Sequence, residues 1–216
     1  MPVTIREATA ADAGLIAWVQ VEASRSGRDV GLWDLMLPGP DAPRFHLMEQ
    51  LVRSPRESFV HFGGFLVAEI DGVPVGALSG YAPAQKKLGH FVGVLYDVLA
   101  ANEWSEPHRK LVGVRATPFS VCMPDTPEDR WVVEWVALKP EARGRGVAAA
   151  LLDAILARGR SAGFSKAQIA VLIGNTPAER CYVRAGFRVV DDKRDATFES
   201  LIGSPGVARM WRDLAR

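Results

Sequence analysis

The stretch WVVEWVALKPEARGRGVAAALL, Trp131 to Leu152, decides the fold. Its first eight residues are apolar except for Glu134, the pattern of a central strand buried on both faces. Lys139 to Ala142 is a short linker containing Pro140. Arg143-Gly144-Arg145-Gly146 then opens a helix whose apolar stripe is Val147, Ala148, Leu151, Leu152, Ile155 and Leu156. Strand, glycine loop and helix in that order predict that backbone N–H groups from Gly144 to Ala149 lack helical partners and carry the positive end of the helix dipole, a site for phosphate. Gly144 and Gly146 let the backbone approach an anion closely, and Arg143 and Arg145 add charge at the rim. The string lacks the GK[ST] ending of a P-loop and the GxGxxG spacing of a dinucleotide site, and taken alone it also fits a plain glycine turn.

Glu134 needs its own explanation. A carboxylate in an apolar run is either a functional acid whose pKa burial raises, or the partner of a buried arginine, or a group facing solvent at a sheet edge.

Downstream, Lys166 to Ile173 reads as a strand, Asn175 to Ala185 as a short helix stopped by Gly186, Phe187 to Val190 as a strand, and Val207 to Arg212 as a closing strand. Upstream, Val3 to Glu7 starts a strand, and Thr9 followed by Asp12 caps a helix that buries Leu15, Ile16, Val19 and Ala23. Phe45, Met48, Leu51 and Val52 mark a second short helix, and Phe65 to Gly80 forms two strands joined by the Asp71-Gly72 turn. From Pro83 to Arg130 the pattern loosens. Leu88 to Ala101 has helical character, whereas Pro107, Pro118, Pro124 and Pro127 break up the residues after Ala101. The expectation is an α/β class with a mixed sheet, and one domain over 1–216 carrying an insertion at about 83–130.

Composition sets bounds. The chain has 216 residues, 48% hydrophobic and 24% charged, with a formal net charge of +1, so no global field favours nucleic acid or an anionic membrane. No segment reaches the ~20 apolar residues of a membrane span, and no basic and apolar leader opens the chain, which therefore reads as cytoplasmic. Cys122 and Cys181 form no metal spacing, nor do His46, His61, His90 and His108, so no metal is expected.

Val136-Ala137-Leu138, the Pro140 linker and Arg143 to Ala148 resemble the acyl-CoA motif of the GNAT N-acetyltransferases, [Q/R]-x-x-G-x-[G/A]. Asn175-Thr176-Pro177-Ala178, Tyr182 and Gly186-Phe187 resemble the family's second motif, and Ile5 to Ala8 and the Asp71-Gly72 hairpin extend the likeness over most of the chain except 83–130. The resemblance implies the GNAT fold, with a pantetheine arm pairing like an added strand with the backbone of Val136, Ala137 and Leu138. It further implies a pyrophosphate held by Arg143, Gly144, Arg145, Gly146, Val147, Ala148 and Ala149, and a cofactor contact at Asn175.

The implied activity is acetyl transfer from acetyl-CoA, without a metal, to a primary amine on a small molecule, an amino acid or a peptide. Tyr182, two helical turns after Asn175, is the carried-over general acid. In some family members the general base is a glutamate five positions before that Asn. Here the position holds Ala170, and Glu134 is the substitute, with Glu69 the second choice. Cys181 lacks an adjacent activating His, so an acyl-cysteine is not expected. The acceptor wall is assigned to 26–60 and 83–130, with Trp33, Phe45, Phe91, Tyr96 and Trp104 as aromatic candidates, most of which core packing explains more simply. The resemblance is compatible with a homodimer. Two alternatives stand beside an enzyme: a non-catalytic acyl-CoA-binding or sensor module, and an unrelated phosphate-binding α/β domain.

Overall fold

A computed structural model of the chain describes residues 2–85 and 87–214. Among them seven strands form one mixed sheet in the order β1-β2-β3-β4-β5-β7-β6. The strands are β1 (Val3–Glu7), β2 (Phe65–Ile70), β3 (Val73–Tyr81), β4 (Trp131–Leu138), β5 (Lys166–Leu172), β6 (Arg188–Arg194) and β7 (Gly206–Asp213). β1 through β4 are antiparallel neighbours, β4 and β5 are parallel, and β7 pairs antiparallel with both β5 and β6. The β2–β3 turn has Asp71 at φ 51° and Gly72 at φ 77°, the two left-handed residues that a tight hairpin requires.

The helices are α1 (Ala13–Arg25), α2 (Leu32–Met36), α3 (Asp41–Val52), α4 (Leu88–Ala101), α5 (Glu106–Cys122), α6 (Val147–Ser161), α7 (Thr176–Arg184) and α8 (Ala196–Ile202). α6 lies on one face of the sheet against β1 to β4, burying Leu151, Leu152, Ile155 and Leu156 with Trp131 and Val133. α1 lies on the other face against β3 and β4, and α2 and α3 pack on it in turn. An ion cluster ties these three helices together. Arg25 Nη2 donates to Asp34 Oδ1 at 2.7 Å and to Asp41 Oδ1 at 2.8 Å, while the buried Arg44 reaches Asp34 at 3.0 Å and also pairs with Asp41. No helix among the described residues is long and apolar enough to cross a membrane.

Three sequence expectations need correction. The 83–130 stretch is more regular than its prolines suggest: Pro107 sits in the first turn of α5, where no N–H is needed, and Pro118 lies inside the helix. Around Pro118, Thr117 and Ser120 turn their hydroxyls back to the Gly113 and Ala116 carbonyls at 3.4 Å. α8 stands where the sequence pattern shows no helix; its start is fixed by Asp195 Oδ1, which accepts from Phe198 N at 2.8 Å. Finally, β4 is buried on both faces only from Trp131 to Val133, and from Glu134 onward it is half-exposed along one cleft.

Candidate active site

That cleft forms where a ladder stops. β4 and β5 pair only at Trp131, Val132 and Val133 with Ala167, Gln168 and Ile169. Beyond Val133 and Ile169 the two strands separate, and Glu134 to Leu138 and Ala170 to Leu172 face each other across a cavity of about 1250 Å³.

A bulge in β4 shapes its centre. Ser79 of β3 pairs with Glu134 while Ala77 pairs with Ala137, so Leu78 lies opposite two residues, Trp135 and Val136. Trp135 takes φ 52°, a conformation costing a non-glycine residue about 1–3 kcal/mol. The bulge reverses the in-and-out alternation. Trp131 and Val133 point to α6 before it, and Val136 and Leu138 do so after it. Trp135 and Ala137 pack on the α1 face. The extra residue thus turns Glu134 and Trp135 to the same side of the sheet.

Glu134 is enclosed by protein except where it lines the cleft, and among the described residues it has no arginine or lysine partner. Burial pushes its carboxyl up to about 7, and the Tyr81 hydroxyl, acting as a hydrogen-bond donor, pulls it partly back. Tyr81 is placed to do this because it lies opposite Val132 on β3, a diagonal neighbour of Glu134 on the same face. Sequence reasoning misses Tyr81, because the β3–β4 register that sets it beside Glu134 is not written in either strand's own pattern. Glu69, the second candidate base, is outside the cleft and held by Arg6 Nε at 2.7 Å.

Tyr182 and Asn175 both line the cleft. Asn175 is the N-cap of α7, its Oδ1 accepting from Ala178 N at 3.3 Å. Burial raises the Tyr182 phenol, which therefore stays protonated throughout the neutral range. Cys181 also lines the cleft, and burial raises its thiol.

Val136, Ala137, Leu138, Arg143 and Ala148 line the same cavity. Arg145, Gly144, Gly146 and Ala149 are exposed beside it, and the Val147 side chain points into the core. Gly144 and Gly146 hold φ 72° and 79°, and open space lies where a side chain would stand at each. The first amide to bond within α6 is that of Ala150, which donates to Gly146 O at 3.1 Å. The amides of Val147, Ala148 and Ala149 precede it, no side chain among the described residues caps the helix, and no acid sits in its first turn. Free amides, a left-handed glycine pair and two exposed arginines match the chemistry of a pyrophosphate, and the β4 edge from Glu134 to Leu138 matches an extended amide-bearing arm. The site therefore fits acetyl-CoA.

Of the aromatic candidates for the acceptor side, only Phe91 lines the cleft. Trp33 is fully buried behind it, Phe45 and Trp104 pack into the same core, and Tyr96 lies under the Arg109 guanidinium. The aromatic residues that do line it with Phe91 are Phe59, Tyr81, Phe119, Trp135 and Tyr182. Among the described residues no cluster of three or more His, Cys, Asp or Glu could hold a metal ion.

The chain has the fold of several solved acetyltransferases. A crystal structure named only as an acetyltransferase is 20% identical, with a TM-score of 0.71 over 98% of this chain and 100% of that one. An N-acetyltransferase from Staphylococcus aureus Mu50 is 19% identical, with a TM-score of 0.64 over 96% and 99% of the two chains. The yncA protein of Salmonella typhimurium, solved with its cofactor acetyl-CoA, is 18% identical, with a TM-score of 0.53 over 99% and 95%. No curated protein sequence matches. The sequence pattern of the acetyltransferase (GNAT) family matches residues 31–187. The chain belongs to the GNAT acetyltransferase family, acyltransferases that use acetyl-CoA as co-substrate.

Proposed function

We propose that the chain transfers the acetyl group of acetyl-CoA directly to a primary amine of a small molecule or peptide in the cytoplasm, with Glu134 as general base and Tyr182 as general acid. Acetyl-CoA supplies an activated acyl group as a thioester. The chain must do the rest: hold the donor, take a proton from the incoming ammonium, and protonate the departing thiolate. An alkylammonium with a pKa near ~10.4 is almost wholly protonated at neutral pH, so attack requires a base.

The observation that carries this reading is Glu134. It is a carboxyl without a cationic partner among the described residues, part-buried at the point where β4 leaves β5, raised to about 7 and facing the cleft. A base with that affinity is ionised often enough to accept a proton and basic enough to draw one. Tyr182 lines the same cleft and keeps its proton, as an acid for a thiolate must. The β4 backbone at the bulge, next to Val136, offers an N–H to the thioester oxygen as charge grows on it. The amides of Gly144 to Ala149 with Arg143 and Arg145 hold the pyrophosphate, and Val136 to Leu138 and Asn175 hold the arm. Residues 1–216 act as one domain in which the 83–130 insertion, as α4 and α5, walls the acceptor side.

The test is thiol release from acetyl-CoA with a panel of primary amines, on wild type, Glu134→Gln and Tyr182→Phe. Loss of turnover in both variants, with acetyl-CoA binding kept, supports these roles. Wild-type rates and pH profiles in both would remove them.

A further inference from the structure

The acceptor half of the cleft is apolar. Leu32, Met36, Phe59, Phe91, Phe119 and Trp135 line it, brought together from α2, the loop before β2, α4, α5 and β4. The aromatics form a continuous series: Tyr81 stacks on Phe59 with centroids 6.4 Å apart, Phe59 meets Phe91 at 4.6 Å, and Trp33 bridges Phe91 and Trp135 at 5.9 and 5.8 Å. Glu134 stands within this series, next to Trp135 and acted on by Tyr81.

Few charges line the cleft. The only basic residues among the described ones that line it are Arg28 and Arg143. Arg143 is at the mouth of α6, on the donor side. Arg28 is already occupied by main chain: its Nη2 donates to Ile173 O at 3.2 Å, its Nε to Gly203 O at 3.3 Å and its Nη1 to Ser26 O at 3.4 Å. The acidic lining residues are Glu22, Asp125 and Glu134, and the first two have partners in Arg25 at 3.2 Å and Lys193 at 3.3 Å. An acceptor carboxylate entering this half would lose water and find only Arg28, whose guanidinium already donates to three main-chain carbonyls. A second ammonium would compete at the rim with Lys193 for Asp125 and with Arg25, which Glu22 shares with Asp34 and Asp41. A single ammonium on an apolar body finds Glu134 at the end of an aromatic wall.

We propose that the acceptor is a hydrophobic primary monoamine, an alkyl or arylalkyl amine without a carboxylate, and that Phe59 and Phe91 select it. This rests on acyl transfer to an amine as proposed above. The transfer forms the amide bond and breaks the thioester; of the two protons the ammonium gives up, one passes through Glu134 to solvent and the other replaces the proton that Tyr182 gives to the released thiol.

The experiment measures thiol release from acetyl-CoA with phenethylamine, its carboxylated twin phenylalanine, hexylamine, spermidine and a short peptide with a free N-terminus. Phenethylamine and hexylamine should exceed phenylalanine, spermidine and the peptide in kcat/KM by at least ~100-fold. Phe91→Ala should raise KM for phenethylamine about tenfold with a smaller change in kcat and no change in KM for acetyl-CoA. Preference for phenylalanine, spermidine or the peptide overturns this inference and leaves the acyl-transfer reading standing. No release with any amine, in a protein that still binds acetyl-CoA by thermal shift, overturns both.

Discussion

Tyr81 and Glu134 lie on neighbouring antiparallel strands, two register steps apart on one face, and the tyrosine hydroxyl opposes the effect of burial on the carboxyl. Tyr81→Phe removes that opposition. The Glu134 carboxyl should then rise further, and the ascending limb of the kcat/KM pH profile should move upward from about 7 by roughly 0.5–1 unit. An unmoved or lowered midpoint would show that the limb belongs to another group.

Glu134→Gln has two separable outcomes. As removal of a general base it should lower kcat/KM about 10²–10⁴-fold at pH 8. Its effect on stability has the opposite sign. The folded carboxyl is raised to about 7 from its ordinary 4.5, so the stability it contributes is whole below pH 4.5 and is lost as pH rises through 7. Glutamine carries no charge to bury. The variant should therefore gain on wild type at pH 8, on the order of 2 kcal/mol once water in the cleft is allowed for, and the gap should narrow at pH 4.5. Urea titrations at the two pH values measure it.

Gly146→Ala tests the anion cradle. Alanine at φ 79° costs about 1 kcal/mol and displaces the amides of the first turn of α6, although no atom lies in its way. KM for acetyl-CoA should rise about tenfold while kcat changes less. An unchanged KM would take this loop out of donor binding.

Gly159→Ala tests how closely α6 lies on β4. A Cβ there would come within 2.6 Å of Trp131 Cγ and 2.8 Å of Cδ1. Overpacking costs about 1–3 kcal/mol and outweighs the ~1 kcal/mol that alanine gains over glycine in a helix. A lower melting temperature with unaltered KM for acetyl-CoA is the expected result; a rise would mean that the helix yields freely.

The sequence is most readable where the period is clean. The strand before the glycine loop, the Val147 to Leu156 stripe and the Asp71-Gly72 turn all stand where their patterns place them. Pro107 and Pro118 hide α5 because a proline reads as a breaker whether it stands in a helix's harmless first turn or in its body. The base candidate is legible as a lone charge, but the alternation around it is not. One extra residue in β4 shifts Val136 onto the face of Val133, and a strict period of two then misassigns everything after Glu134. Tyr81 and Phe59 escape notice for a related reason. They reach the cleft through strand register and loop packing between distant segments, which no local pattern records.

The β4–β5 ladder has a mechanical consequence. Among the described residues, three residue pairs, ending at Val133 and Ile169, are all that join the β1–β4 half of the sheet to the β5–β7–β6 half through backbone pairing. Changing the angle between the halves breaks no hydrogen bond past that seam, because the strands have already parted. The width of the groove is therefore governed by the helix packed across it rather than by the sheet: α5 touches α2 and α4 on one side and α8 and β6 on the other, so the fold can admit acyl donors or acceptors of different girth by shifting α5 while its backbone pairing stays intact.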